Sequence, residues 1–136
     1  RPMEGSITYP DPCQISRRGG ATQAARHLLE DATDFREMTP TGDQNWCCGG
    51  GGGVQAMERA ADLRHKVFQI KMKQVEDTGA DIMISACANC RLTMDGSKNY
   101  WKCDKERESL VEQLAEHRIE DDPHAVDAKP HLATNV

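Results

Sequence analysis

Residues 79–91, Gly79-Ala80-Asp81-Ile82-Met83-Ile84-Ser85-Ala86-Cys87-Ala88-Asn89-Cys90-Arg91, carry a helix stop, an apolar strand and a Cys-x2-Cys pair in immediate succession. Gly79 is a natural terminator for the segment before it, Val54 to Thr78, which reads as the clearest helix in the chain. Ala56, Ala60, Leu63, Val67 and Ile70 recur there at helical spacing as a buried stripe, with Glu58, Arg59, Lys66, Lys71 and Lys73 mostly on other faces. Asp81 to Ser85 then reads as a buried strand that delivers Cys87 and Cys90 just beyond its carboxyl end.

The same logic extends upstream. Ile7-Thr8-Tyr9 is a β-prone run cut short by Asp11-Pro12, so a strand ends in a loop that carries Cys13. Gly19-Gly20 precede a helix over Ala21 to Glu30, with Ala21, Ala24, Ala25, Leu28 and Leu29 at helical spacing. Asp34 to Met38 reads as a second short strand, and residues 39–43 as turn chemistry leading to Cys47-Cys48. The expected fold is α/β, a small mainly parallel sheet flanked by helices, with a site at the strand carboxyl ends. Arg91 to Ser97 is expected to add a helical turn. Lys105 to His117 is expected as a helix with Leu110, Val111 and Leu114 inward. Residues 119–136, with Glu120-Asp121-Asp122 and no periodicity, read as a flexible acidic tail beyond a single domain of residues 1–118.

Composition narrows the function. The 136 residues suit one domain, and aromatic residues make up only 4%. With a polar mean hydropathy, the core must be small, so a metal centre is expected to contribute much of the stability. A net charge of −5 and no basic stripe with interleaved aromatics argue against nucleic acid. No apolar stretch reaches the roughly 20 residues that cross a bilayer, so any membrane link is expected through a partner subunit. The chain begins with Arg1 and has no C-x2-C-x2-C-x3-C-P run, which leads us to expect a segment of a longer protein.

Five of the six cysteines follow the pattern C-x33-C-C-x38-C-x2-C, as Cys13, Cys47, Cys48, Cys87 and Cys90. Thiolates in three distant segments suit an iron–sulfur cluster. Zinc stays open as an alternative or a substitute, because Cys87-x2-Cys90 is a good half-site and Cys13 with Cys47 or Cys48 offers another pair. A disulfide framework fits less well, since there is no export signal and a vicinal Cys47-Cys48 bridge would be strained. A dithiol redox motif at Cys87-Ala88-Asn89-Cys90 would leave the other three cysteines without a purpose. Free thiols without a signal peptide point to a reducing, cytoplasmic compartment. Cys103, in a polar segment, reads as a bystander.

The run Gly49 to Gly53 lacks the Lys-Ser or Lys-Thr of a phosphate loop. Beside ligand cysteines, Gly49 and Gly50 let the backbone fold tightly around a centre and aim N–H groups at its sulfurs. A helix starting near Val54 would direct its positive end to the same place. Vicinal Cys47 and Cys48 should diverge from an extended backbone, which favours a wide centre over a compact cubane. Arg17 and Arg18 are candidates to offset its charge, Asp11 and Asn89 to support its ligands, and Trp46 to shield it from water. His27 and His65 read as surface or packing residues.

The order single Cys, Cys-Cys-Gly, then Cys-x2-Cys resembles the cysteine-rich CCG domain of heterodisulfide reductases and related iron–sulfur oxidoreductases. The segments Asp11 to Gly20, Asn45 to Gly53 and Ala86 to Arg91 are similar, more narrowly, to the catalytic subunit of membrane-bound electron-transfer complexes linked to dissimilatory sulfite reduction. The resemblance runs from about Ile7 to Leu114. It implies that Cys13, Cys47, Cys48, Cys87 and Cys90 ligate one non-cubane [4Fe-4S] cluster that reduces a disulfide or trisulfide. It also implies membrane-anchored electron-transfer subunits as partners, a small sulfur-carrier protein as substrate, and a place at the inner face of the cell membrane. One departure is Pro10, where the resemblance leads us to expect a histidine.

Overall fold

The computed structural model describes residues 5–32, 34–101 and 106–109. Strand β1 (Ser6–Thr8) is followed by a π-helical turn at Gln14–Arg18 and helix α1 (Gln23–Ala32). Strand β2 (Asp34–Phe35), short 3-10 turns and helix α2 (Ala61–Asp77) come next, then strand β3 (Ile82–Ser85), helix α3 (Ala88–Trp101) and strand β4 (Glu106–Ser109). The four strands form one parallel sheet in the order β2-β1-β3-β4. Each successive pair of strands is joined through a helix, so the expected α/β architecture is what the chain adopts.

Strand order reverses between β1 and β3. Open α/β sheets leave a crevice outside the carboxyl ends at such a switch point. Ile7 pairs with Ile82 and Thr8 with Met83 across it. The opposite end is fastened by Asp81, whose carboxylate accepts from the Ser6 N–H at 3.1 Å and the Ser6 hydroxyl at 2.7 Å.

The two faces of the sheet are covered separately, as parallel sheets require. Successive residues of β3 serve opposite faces. Met83 joins Met38, Phe68, Met72, Val75 and Met94 on one side; Ile84 joins Ile7, Tyr9, Ala25 and Leu29 on the other. Full burial of a side chain such as Phe68 contributes about 1.5–3 kcal/mol. Cys48 and Cys90 are themselves members of the first cluster, with Cys87 against it.

Several expectations are corrected. The helix expected from Val54 begins only at Ala61, because Met57 is extended (φ −94°, ψ 105°) and splits residues 54–60 into two 3-10 turns. The buried stripe of α2 is Phe68, Lys71, Met72 and Val75, whereas Leu63 and Ile70 are 61% and 46% exposed. Lys71 therefore faces inward, not outward. On α1 the inward residues are Ala25, Arg26 and Leu29, with Ala21, Ala24 and Leu28 exposed. The turn expected at Arg91–Ser97 is a full helix, with Cys90, Thr93, Met94 and Ser97 on its buried face. Glu106–Ser109, expected to open a helix, is instead β4, since pairing with the open edge of β3 satisfies its backbone groups. The rest of that segment, with Leu110, Val111 and Leu114, the residue Cys103 and the tail 119–136 lie outside the described residues.

Candidate metal centre

The cysteines sit where the sheet puts them. Cys13 lies in the turn after β1, and Cys87 and Cys90 follow β3 at the first turn of α3, where the Arg91 N–H donates to the Cys87 carbonyl at 3.0 Å. Cys47 and Cys48 occupy the loop before α2, which runs along that helix's flank. Trp46 Nε1 donates to the Val67 carbonyl at 3.3 Å, and Gly49 packs on Val67 and Arg64. Arg64 lies in the first turn of α2, so that helix begins beside this loop, while Cys87 and Cys90 lie at the start of α3. Trp46 is 41% exposed and leans on α2.

All five thiols are free. Cys48 Sγ lies 3.2 Å from Cys90 Sγ. Cys47 touches Cys48 on one side and Cys13 on the other through its thiol. The contacts therefore run Cys13, Cys47, Cys48, Cys90; the vicinal thiols, expected to diverge, interact with each other, and each also meets a different segment. Cys87 shares with Cys90 an electrostatic effect on Tyr9. Among the described residues no three His, Cys, Asp or Glu side chains are arranged around a single metal ion.

Backbone and charge favour sulfur anions here. The Gly49 N–H donates to Cys47 Sγ at 3.3 Å, and the Gly50 N–H favours the Cys48 thiolate. Gly49 needs φ +87°, and Gly50 has no room for a side chain, because a Cβ would stand 1.9 Å from Thr93 Oγ1. Burial, then the neighbouring Cys47, raises the Cys13 thiol. The hydrogen bond with Cys48, then burial, holds Cys47 well above the ordinary thiol range. For Cys48, contact with Cys47 favours the thiolate, but contact with Cys90 and burial outweigh it and push the group up to about 11. The bare Cys13, Cys47 and Cys48 thiols are thus held protonated, and a metal group that binds them displaces protons.

A buried polar clasp joins the Cys13 turn to the Cys47 loop. The Asp11 carboxylate accepts from Ser16 Oγ at 2.9 Å, Arg26 Nη2 at 2.7 Å and the Gly42 N–H at 2.7 Å. Burial alone would raise this carboxyl, but the bonds from Arg26, Gly42 and Ser16 hold it below the ordinary range. Arg26 also pairs with Glu37 at 2.5 Å. Asn45 Nδ2 donates to the Asp11 carbonyl, while its Oδ1 accepts from Lys71. Arg17, expected to offset charge, donates to the Asp43 and Asn45 carbonyls, and its charge favours the Cys13 thiolate. Arg18 and Asn89 are exposed, and His65 Nδ1 meets Ser97 Oγ at 3.0 Å while its ring stacks on Tyr100.

Sequence reasoning missed Arg26, Lys71, Tyr9 and Thr93. Burial pushes the Lys71 ammonium down to about 8, partly offset by Asp11, Cys13, Cys48 and Cys90. Tyr9 Oη is buried without a hydrogen-bond partner among the described residues, and its phenol is raised by burial and Asp11. Each of the two charged residues lies beside a buried apolar position of its helix, Arg26 after Ala25 and Lys71 before Met72, and that adjacency is the only signal the sequence offers.

Taken together, five free thiols, glycine N–H groups aimed at sulfur, and a buried cation nearby fit a thiolate-held, anionic metal group. Comparison with known proteins agrees. A dihydromethanophenazine:CoB–CoM heterodisulfide reductase subunit from Methanosarcina barkeri is 34% identical over 118 residues, covering 85% of this chain and 28% of that protein. An Hdr-like menaquinol oxidoreductase iron–sulfur subunit 2 from Archaeoglobus fulgidus is 31% identical, over 70% of this chain and 18% of its own. Lactate utilization protein A from Lysinibacillus sphaericus is 32% identical, over 69% of this chain and 40% of its own. The chain thus spans well under half the length of these relatives, and no solved structure matches it. No helix among the described residues is long and apolar enough to cross a membrane. The cysteine-rich CCG domain model matches residues 7–95, two thirds of the sequence, and the chain belongs to that family.

Proposed function

We propose that this domain binds one non-cubane [4Fe-4S] cluster through Cys13, Cys47, Cys48, Cys87 and Cys90, and that it reduces a sulfur–sulfur bond. The reaction consumes two electrons and two protons per bond cleaved: a disulfide yields two thiols, a trisulfide a thiol and a persulfide, and a persulfide a thiol and hydrogen sulfide. The cluster, when bound, supplies the electrons one at a time. The chain's own residues do the rest. Gly49 and Gly50 point N–H groups at the Cys47 and Cys48 sulfurs, and the Asp11–Arg26 clasp holds the Cys13 turn against the Cys47 loop. The crevice between β1 and β3 provides the entrance.

The observation that supports this reading most is the contact sequence Cys13–Cys47–Cys48–Cys90, which draws on all three cysteine-bearing segments. A heterodisulfide reductase subunit and an iron–sulfur oxidoreductase subunit among the relatives point the same way. The substrate we favour is the persulfidic or trisulfide form of a small sulfur-carrier protein, with a low-molecular-weight heterodisulfide second, as in the sulfite-linked subunit that the motifs resemble. Electrons then arrive from upstream clusters of a larger, cytoplasmic protein that docks to membrane-anchored partners.

The test supplies a strong artificial reductant to the reconstituted chain together with a disulfide or trisulfide. We expect thiol release and a changed paramagnetic signal on substrate addition. An intact cluster that neither turns over nor responds makes the domain an electron relay instead.

A further inference from the structure

Lys71 is the least expected residue in the core. It is 1% exposed, on the α2 face that packs against the sheet, between Phe68 and Val75. Its ammonium has three N–H groups to satisfy. It donates to Asn45 Oδ1 and approaches Met38 Sδ at 3.5 Å, and among the described residues no carboxylate forms an ion pair with it. A buried charge without a counter-charge is among the costliest groups a fold can carry.

Four anion-forming groups act on it: Asp11, Cys13, Cys48 and Cys90. Asp11 is already committed to Arg26 at 2.7 Å. The three thiols remain, one from the turn after β1, one from the loop before α2 and one from α3. As neutral thiols they would give the ammonium little. As thiolates of an anionic centre they would balance it.

We propose that Lys71 is the buried counter-cation of the sulfur centre, a positioning residue whose fixed charge favours the more negative, reduced state. The inference rests on the reading of the cysteines as holding an anionic cluster. Asn45 fixes the ammonium by accepting from it while its amide nitrogen holds the Asp11 carbonyl, so charge and loop are set by one side chain. Arg17 also favours the Cys13 thiolate, but it is exposed and its guanidinium bonds backbone carbonyls, so Lys71 is the buried cation of the pair.

The test compares Lys71→Met, which keeps length and removes charge, with Lys71→Arg, which keeps charge, in the reconstituted 136-residue chain. Redox titration should show the Lys71→Met centre about tenfold less inclined to reduction, about 59 mV lower for one electron, with Lys71→Arg recovering most of the shift. Iron loss in Lys71→Met alone also supports the proposal, because the charge is then needed to retain the centre. An unchanged potential at full iron content overturns it and leaves the cluster reading standing, as does equal iron loss in both variants, which marks a packing role. Should the unsubstituted chain take up no iron or sulfide, the cluster reading fails and the proposal falls with it.

Discussion

Gly50→Ala tests how tightly the Cys48 loop is docked on α3. A Cβ at this position would stand 1.9 Å from Thr93 Oγ1, 3.0 Å from the Asn89 carbonyl and 3.2 Å from Thr93 Cβ. Thr93 has little freedom to yield, since it is fully buried and its hydroxyl bonds Gln55 Oε1 at 2.9 Å and the Asn89 carbonyl at 2.8 Å. Overpacking of this kind costs about 1–3 kcal/mol, and each disturbed hydrogen bond about 0.5–1.5 kcal/mol. The expected loss is about 3 kcal/mol, a large share of the roughly 5–15 kcal/mol that holds a domain together. The loop can escape only by moving away from α3, which separates Cys48 from Cys90 and lowers iron content. Anaerobic urea denaturation measures the first effect and iron analysis the second. Gly51→Ala is the control, because nothing stands within 4 Å of its Cβ position, and it should stay within about 0.5 kcal/mol. Adding Thr93→Ala to Gly50→Ala removes the nearest atom and should recover part of the loss. If Gly50→Ala and Gly51→Ala unfold at the same urea concentration, the docking argument is wrong.

Asp11→Asn leaves the Arg26 charge with Glu37 alone and should cost about 3 kcal/mol at neutral pH, read from denaturation midpoints. Because folding lowers the Asp11 carboxyl below its usual 3.8, its contribution is complete above about pH 4 and is lost as pH falls further, through the folded value. The Asn variant should therefore lack that part of the acid dependence. Tyr9→Phe removes a buried hydroxyl that has no partner among the described residues and should be neutral or slightly stabilising; a loss above about 1.5 kcal/mol would show that the hydroxyl is bonded. Cys48→Ser or Cys87→Ser should lose iron whereas Cys103→Ser keeps it, and equal loss in all three would revise the ligand count.

The order of strands and helices was legible because punctuation and periodicity agreed at each junction. Gly79 ends α2 with φ +65°, and the Ile82-Met83-Ile84 run sits in the interior of a four-stranded sheet. That order also placed Cys13 and Cys87 at adjacent strand ends, so much of the candidate centre followed from topology. The phase of the helices was not legible. Leu63, Ile70 and Leu28 are apolar yet exposed, while Arg26 and Lys71 occupy inward positions for polar partners that lie far away in sequence. Thr93 was invisible and the role of Asn45 unreadable for the same reason: their value lies in contacts with Gln55, Asp11 and Lys71, which no local pattern encodes. The strand Glu106–Ser109 is made by the edge it joins, since its own residues favour no strand.

Iron and acid-labile sulfide, measured together on anaerobically prepared chain, test the central claim most directly. The account predicts a coloured protein with about four of each per chain, falling in each single Cys→Ser variant at 13, 47, 48, 87 and 90. A colourless protein holding one zinc, or a Cys13→Ser variant that retains its full iron and sulfide, would contradict it.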